Sequence, residues 1–279
     1  MSKVTPALIK ELRDRTSVGM GKCKQALEKA EGDIEKAIEI LRKEGMASAV
    51  KKESRETKEG MISVSENKSC LAIIEVNAET DFVIQNDLFK EYVSLMTEEV
   101  LATKPSSVEA FLAQKNKSDG AHTNDELRAQ LIQRIGENIQ IKRLKLLDKQ
   151  KNHSYGTYIH AGGRIACIAD IEGASDQEAL AREIAMHIAA EAPDYLDHAS
   201  VPAEMKAKEE EIAKSQVPGN KPPEIIEKIV SGKVKSVLDS LCLINQKYVK
   251  DPSMTVEKFV ASKGKDFKVA SFLRWQIGQ

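Results

Sequence analysis

Aromatic side chains are the scarcest large groups in this sequence: one Trp, five Tyr and six Phe make up 4% of 279 residues. A core built almost without rings relies on Ile, Leu, Val and Ala, and that composition leans toward helix. Charge of one sign is missing as well, because 42 Lys and Arg face 43 Asp and Glu for a net of −1. The balance argues against a protein whose main task is to coat nucleic acid or an anionic membrane, so neither is expected as a partner. No apolar run approaches the roughly 18 residues of a membrane span. The opening, MSKVTPALIKELRDR, carries acids and no apolar signal core, which indicates neither secretion nor organelle import. Cys23, Cys70, Cys167 and Cys242 lie far apart with no C-x-x-C. Buried free thiols in a reducing cytoplasm are therefore expected, rather than disulfides or a zinc site.

Chemical motifs are also wanting. Gly19-Met20-Gly21-Lys22 and Ser231-Gly232-Lys233 lack the spacing of a phosphate-cradling G-x-x-x-x-G-K-[ST], and H-E-x-x-H, G-x-S-x-G and G-x-G-x-x-G do not occur. Hence no catalytic residue, metal ligand, cofactor or direct nucleotide binding is expected, and the chain does not read as an enzyme. His187 shares a helical face with Leu180, Ile184 and Ile188, the setting of a half-buried, hydrogen-bonded histidine rather than a ligand. Lys142, Arg143, Lys145, Lys149 and Lys151 form a local basic cluster without the interleaved aromatics of a single-strand binder.

What is present is organised in blocks. Within 1–55, Val4, Leu8 and Leu12, then Cys23, Ala26, Leu27 and Ala30, then Ile34, Ala37, Ile38 and Leu41 recur at helical spacing. Gly32 stops the second helix, Asp33 can cap the third and Gly45 is expected to end it, giving a small three-helix domain. Seven of the nine residues in 51–59 are charged, which marks a solvated linker or helix end and a domain boundary. From Gly60 the period becomes extended: 60–66 alternates, Asn67-Lys68 turns, and 69–76 is too apolar to be exposed on both faces. Helix returns over 86–100 with Phe89, Val93 and Met96 on one side. The order strand, strand, helix recurs over 154–160, 164–172 and 176–192, around Gly162-Gly163. Shifted by 95 positions, 69–81 (SCLAIIEVNAETD) lies over 164–176 (RIACIADIEGASD), a structural echo at low identity. Between the two blocks, 104–124 reads as loop with one short helix, 126–138 as helix and 139–147 as strand. The expected organisation is α+β, with core halves at 56–138 and 139–279.

Beyond Pro202, the segment 203–214 holds seven charges, 216–223 holds three prolines and a glycine, and 224–241 carries Ile225, Ile226, Ile229, Val230, Val237 and Leu238. A polar arm, a turn and an apolar-striped arm read as an antiparallel helical hairpin over about 203–241, projecting from the core, with a further segment at 250–279. Two ordinary surface helices fit the periodicity equally well. The segment Glu79-Thr80-Asp81-Phe82-Val83-Ile84-Gln85-Asn86-Asp87 is the one stretch that stands out. Thr80 or Asp81 can cap the following helix. Alternatively, Phe82 beside a carboxylate, in a polar connection, has the make-up of a partner-recognition wedge.

Several segments resemble bacterial elongation factor Ts, the guanine nucleotide exchange factor of the translational GTPase elongation factor Tu. They are LRDRTSVGMGKCKQAL at 12–27, GDIEKAIEILRKEG at 32–45, EVNAETDFV at 75–83, RIGENI at 134–139, HAGGRI at 160–165 and GNKPPEIIEKIVSGKVKSVLDSLCLINQKYV at 219–249. Thr80-Asp81-Phe82-Val83 is the most specific of these, and the resemblance spans essentially the whole chain. It implies a ubiquitin-associated-like three-helix domain, then two α+β halves with a projecting helical hairpin. It further implies a protein that binds GDP-bound and nucleotide-free elongation factor Tu and dislodges Mg²⁺ and GDP from it. On this resemblance, Thr80, Asp81, Phe82 and Val83 act on the Mg²⁺ side of the GTPase, Phe82 by entering a pocket between helices. His160, Ile135 and Gly136 are further core contacts, with a water-exposed strand end as the plainer role of His160. Arg13, Ser17, Val18, Gly19, Met20 and Gly21 form the N-terminal contact. The chain departs from many members at Gly21, where they carry a larger residue, and its segment 104–124 is longer than in the shortest members. Two other classes stay open from the residues alone: an RNA- or ribosome-associated protein using the basic cluster, and a ubiquitin-associated-type adaptor using 1–55.

Overall fold

A computed structural model describes residues 4–16, 18–173, 175–217 and 222–279. The fold is α+β and divides into two compact units, one of Met1–Asp148 with Gly162–Arg164 and Ile277–Gln279, the other of Lys149–Ala161 with Ile165–Gln276.

The first unit begins with α1 (Pro6–Thr16), α2 (Met20–Lys29) and α3 (Ile34–Lys52). Their apolar stripes meet in a small core of Leu12, Val18, Cys23, Ala26, Leu27, Ala30, Ala37 and Leu41. Gly32, at φ 87°, turns the chain after α2, and Asp33 caps α3 by accepting from the Lys36 amide at 3.0 Å. The expected stop at Gly45 is not there. Helix α3 continues to Lys52, and Gly45 is buried with its absent Cβ only 3.0 Å from Gln133 Oε1. The glycine permits a close helix approach and does not serve as a cap. Of the expected link between the first two helices, Ser17 lies outside the described residues.

Strands β1 (Glu59–Glu66) and β2 (Cys70–Ala78) form the expected hairpin, followed by α4 (Asp81–Gln85), α5 (Asp87–Thr103), α6 (Val108–Ala113), α7 (Asn124–Ile135) and β3 (Ile139–Asp148). Asn67 fixes the hairpin turn, its Oδ1 accepting from the Ser69 and Cys70 amides at 2.9 Å each. The antiparallel sheet has the order β1-β2-β3. β2 is central and buried along its whole length, as its unbroken apolar run requires. Ala72, Ile74, Val76 and Ala78 join Phe89, Val93, Met96 and Val100 of α5 in one cluster. The other face of β2 carries Glu75, wholly buried and held by Arg143 Nε at 2.7 Å and Nη2 at 2.6 Å. The strand that the sequence places at 139–147, in the second half, runs over 139–148. It pairs with β2 from Ile139↔Ala78 to Cys70↔Asp148, so its hydrogen bonds place it in the first unit. α7 opens with a capping box of Thr123 and Glu126 and ends at Ile135, three residues before its expected limit, with Gly136 left-handed at φ 95° as its C-cap.

The second unit contains β4 (His153–His160), β5 (Ile165–Glu172), α8 (Glu178–Glu191), α9 (Ala203–Ser215), α10 (Pro223–Leu241), β6 (Lys247–Tyr248), β7 (Asp251–Thr255), α11 (Val256–Lys263) and β8 (Lys268–Gln276). Its main sheet has the order β4-β5-β8, antiparallel throughout. The 95-residue shift maps Cys70 onto Ile165, the first residues of β2 and β5, and each is the central strand of a three-stranded sheet. Cys167, Ala169 and Ile171 pack with Leu180, Ile184 and Ile188 of α8, and Tyr248 stacks on Phe259 at 3.9 Å. α9 and α10 pack side by side as the expected hairpin. Only Ala213 of α9 and Val230 and Leu238 of α10 are buried; residues 218–221 of the expected turn lie outside the described residues. All four cysteines are free and buried, and burial pushes the Cys167 thiol up to about 12. Among the described residues no helix is long and apolar enough to cross a membrane.

His187 is wholly buried on α8, not half-buried as its sequence position indicates. Its Nε2 lies 3.0 Å from Gln246 Oε1, and its Nδ1 accepts from the Val249 amide at 3.2 Å. A neutral ring protonated on Nε2 satisfies both partners, whereas a second proton on Nδ1 would displace the amide. Burial holds the pKa below its ordinary 6.5. The unfolded chain therefore takes up a proton that the folded chain refuses. The stabilisation from His187 is present above about pH 6.5 and is lost as pH falls from there toward the folded-state pKa. Urea midpoints measured from about pH 7.5 to about pH 5.5 should fall more steeply for the wild type than for His187→Gln.

Candidate functional site

The connection from β2 to α5 is where the first unit offers an unusual surface. Beyond Ala78 the chain bends at Glu79, is extended at Thr80, at φ −129° and ψ 159°, and then winds into the five residues of α4. That short helix, read from sequence as a loop, divides its side chains sharply. Val83 and Ile84 turn inward to the cluster that holds Phe89, while Phe82 is 84% exposed, with Asp81 and Gln85 also in solvent. Two buried neighbours thus anchor a turn that thrusts an aromatic ring into water. Leaving a ring of that size in solvent forgoes about 1.5–3 kcal/mol of burial, so its position calls for a reason other than folding.

Capping does not supply that reason. Asn86 caps α5, its side chain accepting from the Leu88 amide at 2.9 Å, and Thr80 makes no side-chain cap bond to α4. Asp81 is the first residue of α4 rather than its cap. Thr80 instead faces Glu137: its hydroxyl donates to Glu137 Oε1 at 2.6 Å and its amide to Oε2 at 3.0 Å. Next to it, Glu79 Oε1 accepts from the Asn138 amide at 2.6 Å and from Arg55 Nη1 at 3.4 Å. Asn138 Nδ2 in turn donates to the carbonyls of Glu53 and Arg55 at 3.3 and 2.9 Å. Two consecutive residues of one turn are thereby laced to two consecutive residues of another. Glu137 and Asn138 carry no wedge-like chemistry in the sequence. Their only signal is their place inside RIGENI, beside two residues that do stand out.

The remaining candidates are placed as follows. Ile135 packs against the first unit's core, and Gly136 supplies the left-handed residue that turns α7 toward β3. In the three-helix part, Arg13, Gly19, Met20 and Gly21 are exposed, Met20 to 53%, and the space around Gly19 and Gly21 is open. Val18 is buried in the core of that bundle, so its side chain holds the loop and is not offered to a partner. Val83 is likewise a core side chain. His160 belongs to the second unit, exposed at the end of β4, with Nδ1 at 3.2 Å from the Tyr158 hydroxyl. Of the basic cluster, Arg143 and Lys142 both face the buried Glu75, so those two charges are partly neutralised within the fold. Among the described residues no group of three or more His, Cys, Asp and Glu is placed to hold a metal ion.

The anchored turn presents one aromatic ring and one carboxylate to solvent, and comparison with known proteins gives the chain a family. The family model described as Elongation factor TS matches residues 79–279. Over its full length the chain is 54% identical to an Elongation factor Ts of Protochlamydia amoebophila (strain UWE25) and 43% identical to that of Chlamydia felis (strain Fe/C-56), covering each of these relatives completely. It is 44% identical to the Elongation factor Ts of Lacticaseibacillus casei (strain BL23), covering 94% of that protein. The chain belongs to the elongation factor Ts family and is a translation elongation factor.

Proposed function

We propose that this protein is a guanine nucleotide exchange factor, without enzymatic activity of its own, that acts in the cytoplasm on elongation factor Tu. It binds the GDP form, promotes GDP release and leaves the nucleotide-free GTPase ready to load GTP. The observation that carries this reading is the ring of Phe82, 84% exposed on an anchored turn with Asp81 beside it. An exchange factor needs no nucleotide site. It needs contacts that favour the empty GTPase over the loaded one, and by reciprocity nucleotide and factor then weaken each other's binding. Each tenfold of destabilisation requires about 1.4 kcal/mol of differential contact. GDP is held through phosphate contacts and a hard, octahedral Mg²⁺ that tolerates little distortion. In this reading Phe82 wedges between helices of the GTPase and Asp81 disturbs the Mg²⁺ site. Thr80 and Val83 hold those two in place. Arg13, Gly19, Met20 and Gly21 of the three-helix domain anchor the complex, and Ile135, Gly136 and His160 belong to further contacts. Stopped-flow release of fluorescent GDP from elongation factor Tu tests it. Release should accelerate with added protein and saturate, and an unchanged release rate would overturn the reading.

A further inference from the structure

We infer that Glu137 is a positioning residue for nucleotide exchange: its carboxylate, gripping Thr80 by both amide and hydroxyl, fixes the direction in which Asp81 and Phe82 point. The inference rests on the exchange reading of that turn and names a residue outside it.

Both carboxylate oxygens of Glu137 are engaged by a single residue, Oε1 by the Thr80 hydroxyl at 2.6 Å and Oε2 by the Thr80 amide at 3.0 Å. Two bonds from one carboxylate to one residue restrain rotation as well as distance, and bonds to an ionised acceptor are the strong ones. Thr80 is the residue from which α4 starts, so its orientation sets the heading of the turn that carries Phe82. A helix of five residues has little stability of its own, since a helix nucleus costs more than one turn returns. Its shape must therefore be imposed, from below by Val83 and Ile84 and from its start by Glu137. Glu137 itself is held in register because the next amide, of Asn138, is bound by Glu79 at 2.6 Å. Without the grip, the wedge would still exist but would sample directions that miss its pocket. That loss falls on the step in which the wedge must act, and less on the encounter with the partner.

The test uses the full chain with Glu137→Ala, Glu137→Gln, Thr80→Val and the double variant Thr80→Val/Glu137→Ala. In the free protein, hydrogen exchange at the amides of 80–85 should speed up in Glu137→Ala, a readout that needs no partner. With elongation factor Tu, the maximal rate of GDP release should fall about tenfold, while the concentration for half-maximal release changes by less than about threefold. Glu137→Gln keeps one acceptor and should fall in between, which also covers the case of an alanine variant that folds poorly. The double variant should be little worse than Glu137→Ala, because both changes remove one interaction. The inference is overturned by wild-type amide exchange and release rates in Glu137→Ala, by a change confined to the half-maximal concentration, or by additive effects of the two substitutions. Failure of the exchange reading shows differently, as a wild-type protein that does not accelerate GDP release at all.

Discussion

Replacing Phe82 by alanine should leave the fold intact and remove most of the exchange activity. The ring is 84% exposed, and its neighbours Val83 and Ile84, not Phe82 itself, fill the core beneath α4. No cavity opens, so folding stability should change by less than about 1 kcal/mol. A pocket-filling aromatic at an interface carries about 2 kcal/mol or more, which corresponds to a loss of roughly thirtyfold. Urea denaturation and GDP release on the same preparation separate these two quantities. A normally folded Phe82→Ala protein that exchanges at the wild-type rate would remove the wedge from the mechanism. Asp81→Asn is the companion measurement. Asp81 caps no helix, so asparagine should fold equally well, and any loss of exchange then reports the missing charge acting on the Mg²⁺ site.

The largest effect on stability is expected at Gly156. It lies within β4, where α8 approaches so closely that an added Cβ would overlap the backbone of Ala181 and Arg182. Helix backbone cannot step aside as a flexible side chain can. Gly156→Ala must either push α8 from the sheet or break the strand, at a cost of about 3 kcal/mol or more. The single tryptophan, Trp275, is 8% exposed in β8 and pairs with Ala166 of β5, so its fluorescence follows the unfolding of this sheet. The denaturant midpoint seen by Trp275 should drop sharply, and an unmoved midpoint would mean that strand and helix are less tightly apposed. Gly21→Ala is the contrasting case. Gly21 is inside α2 with open space around it, so alanine should stabilise the bundle by about 0.5–1 kcal/mol.

Features set by one local signal are legible in the sequence. Asp33 capping α3, the Asn67 turn and the buried run of β2 each follow from a few neighbouring residues. Features that a distant part of the chain decides are not legible. Gly45 has the local look of a helix end, yet α7, some ninety residues on, makes it a packing glycine. The strand 139–148 shows its period, but nothing in its residues reveals that β2 is its partner. The segment 250–279 carried no assigned elements and turned out to contain β7, α11 and the edge strand β8. At the candidate site, Phe82 was legible because an apolar ring in a polar connection is locally odd. Glu137 was not, because a glutamate after a helix-ending glycine is ordinary until its contact with Thr80, 57 positions earlier, is seen.

The strand order of the second sheet has a consequence for how the chain is made. In the first unit β1, β2 and β3 all come from positions 59–148, so that sheet can close early in synthesis. In the second, β5 ends at Glu172 and its other neighbour, β8, starts only at Lys268. At about 5–20 residues per second, translation leaves this gap open for roughly 5–20 seconds. Throughout that interval one edge of IACIADIE is a bare row of amides and carbonyls on an apolar strand, the kind of template on which nascent chains aggregate. Ribosomes stalled or terminated between 172 and 268 would release the protein in that condition, with the first unit's sheet closed and the second unit's sheet adhesive. Transcript damage or premature stops in that window should therefore yield insoluble fragments, whereas stops just after 148 should yield soluble ones.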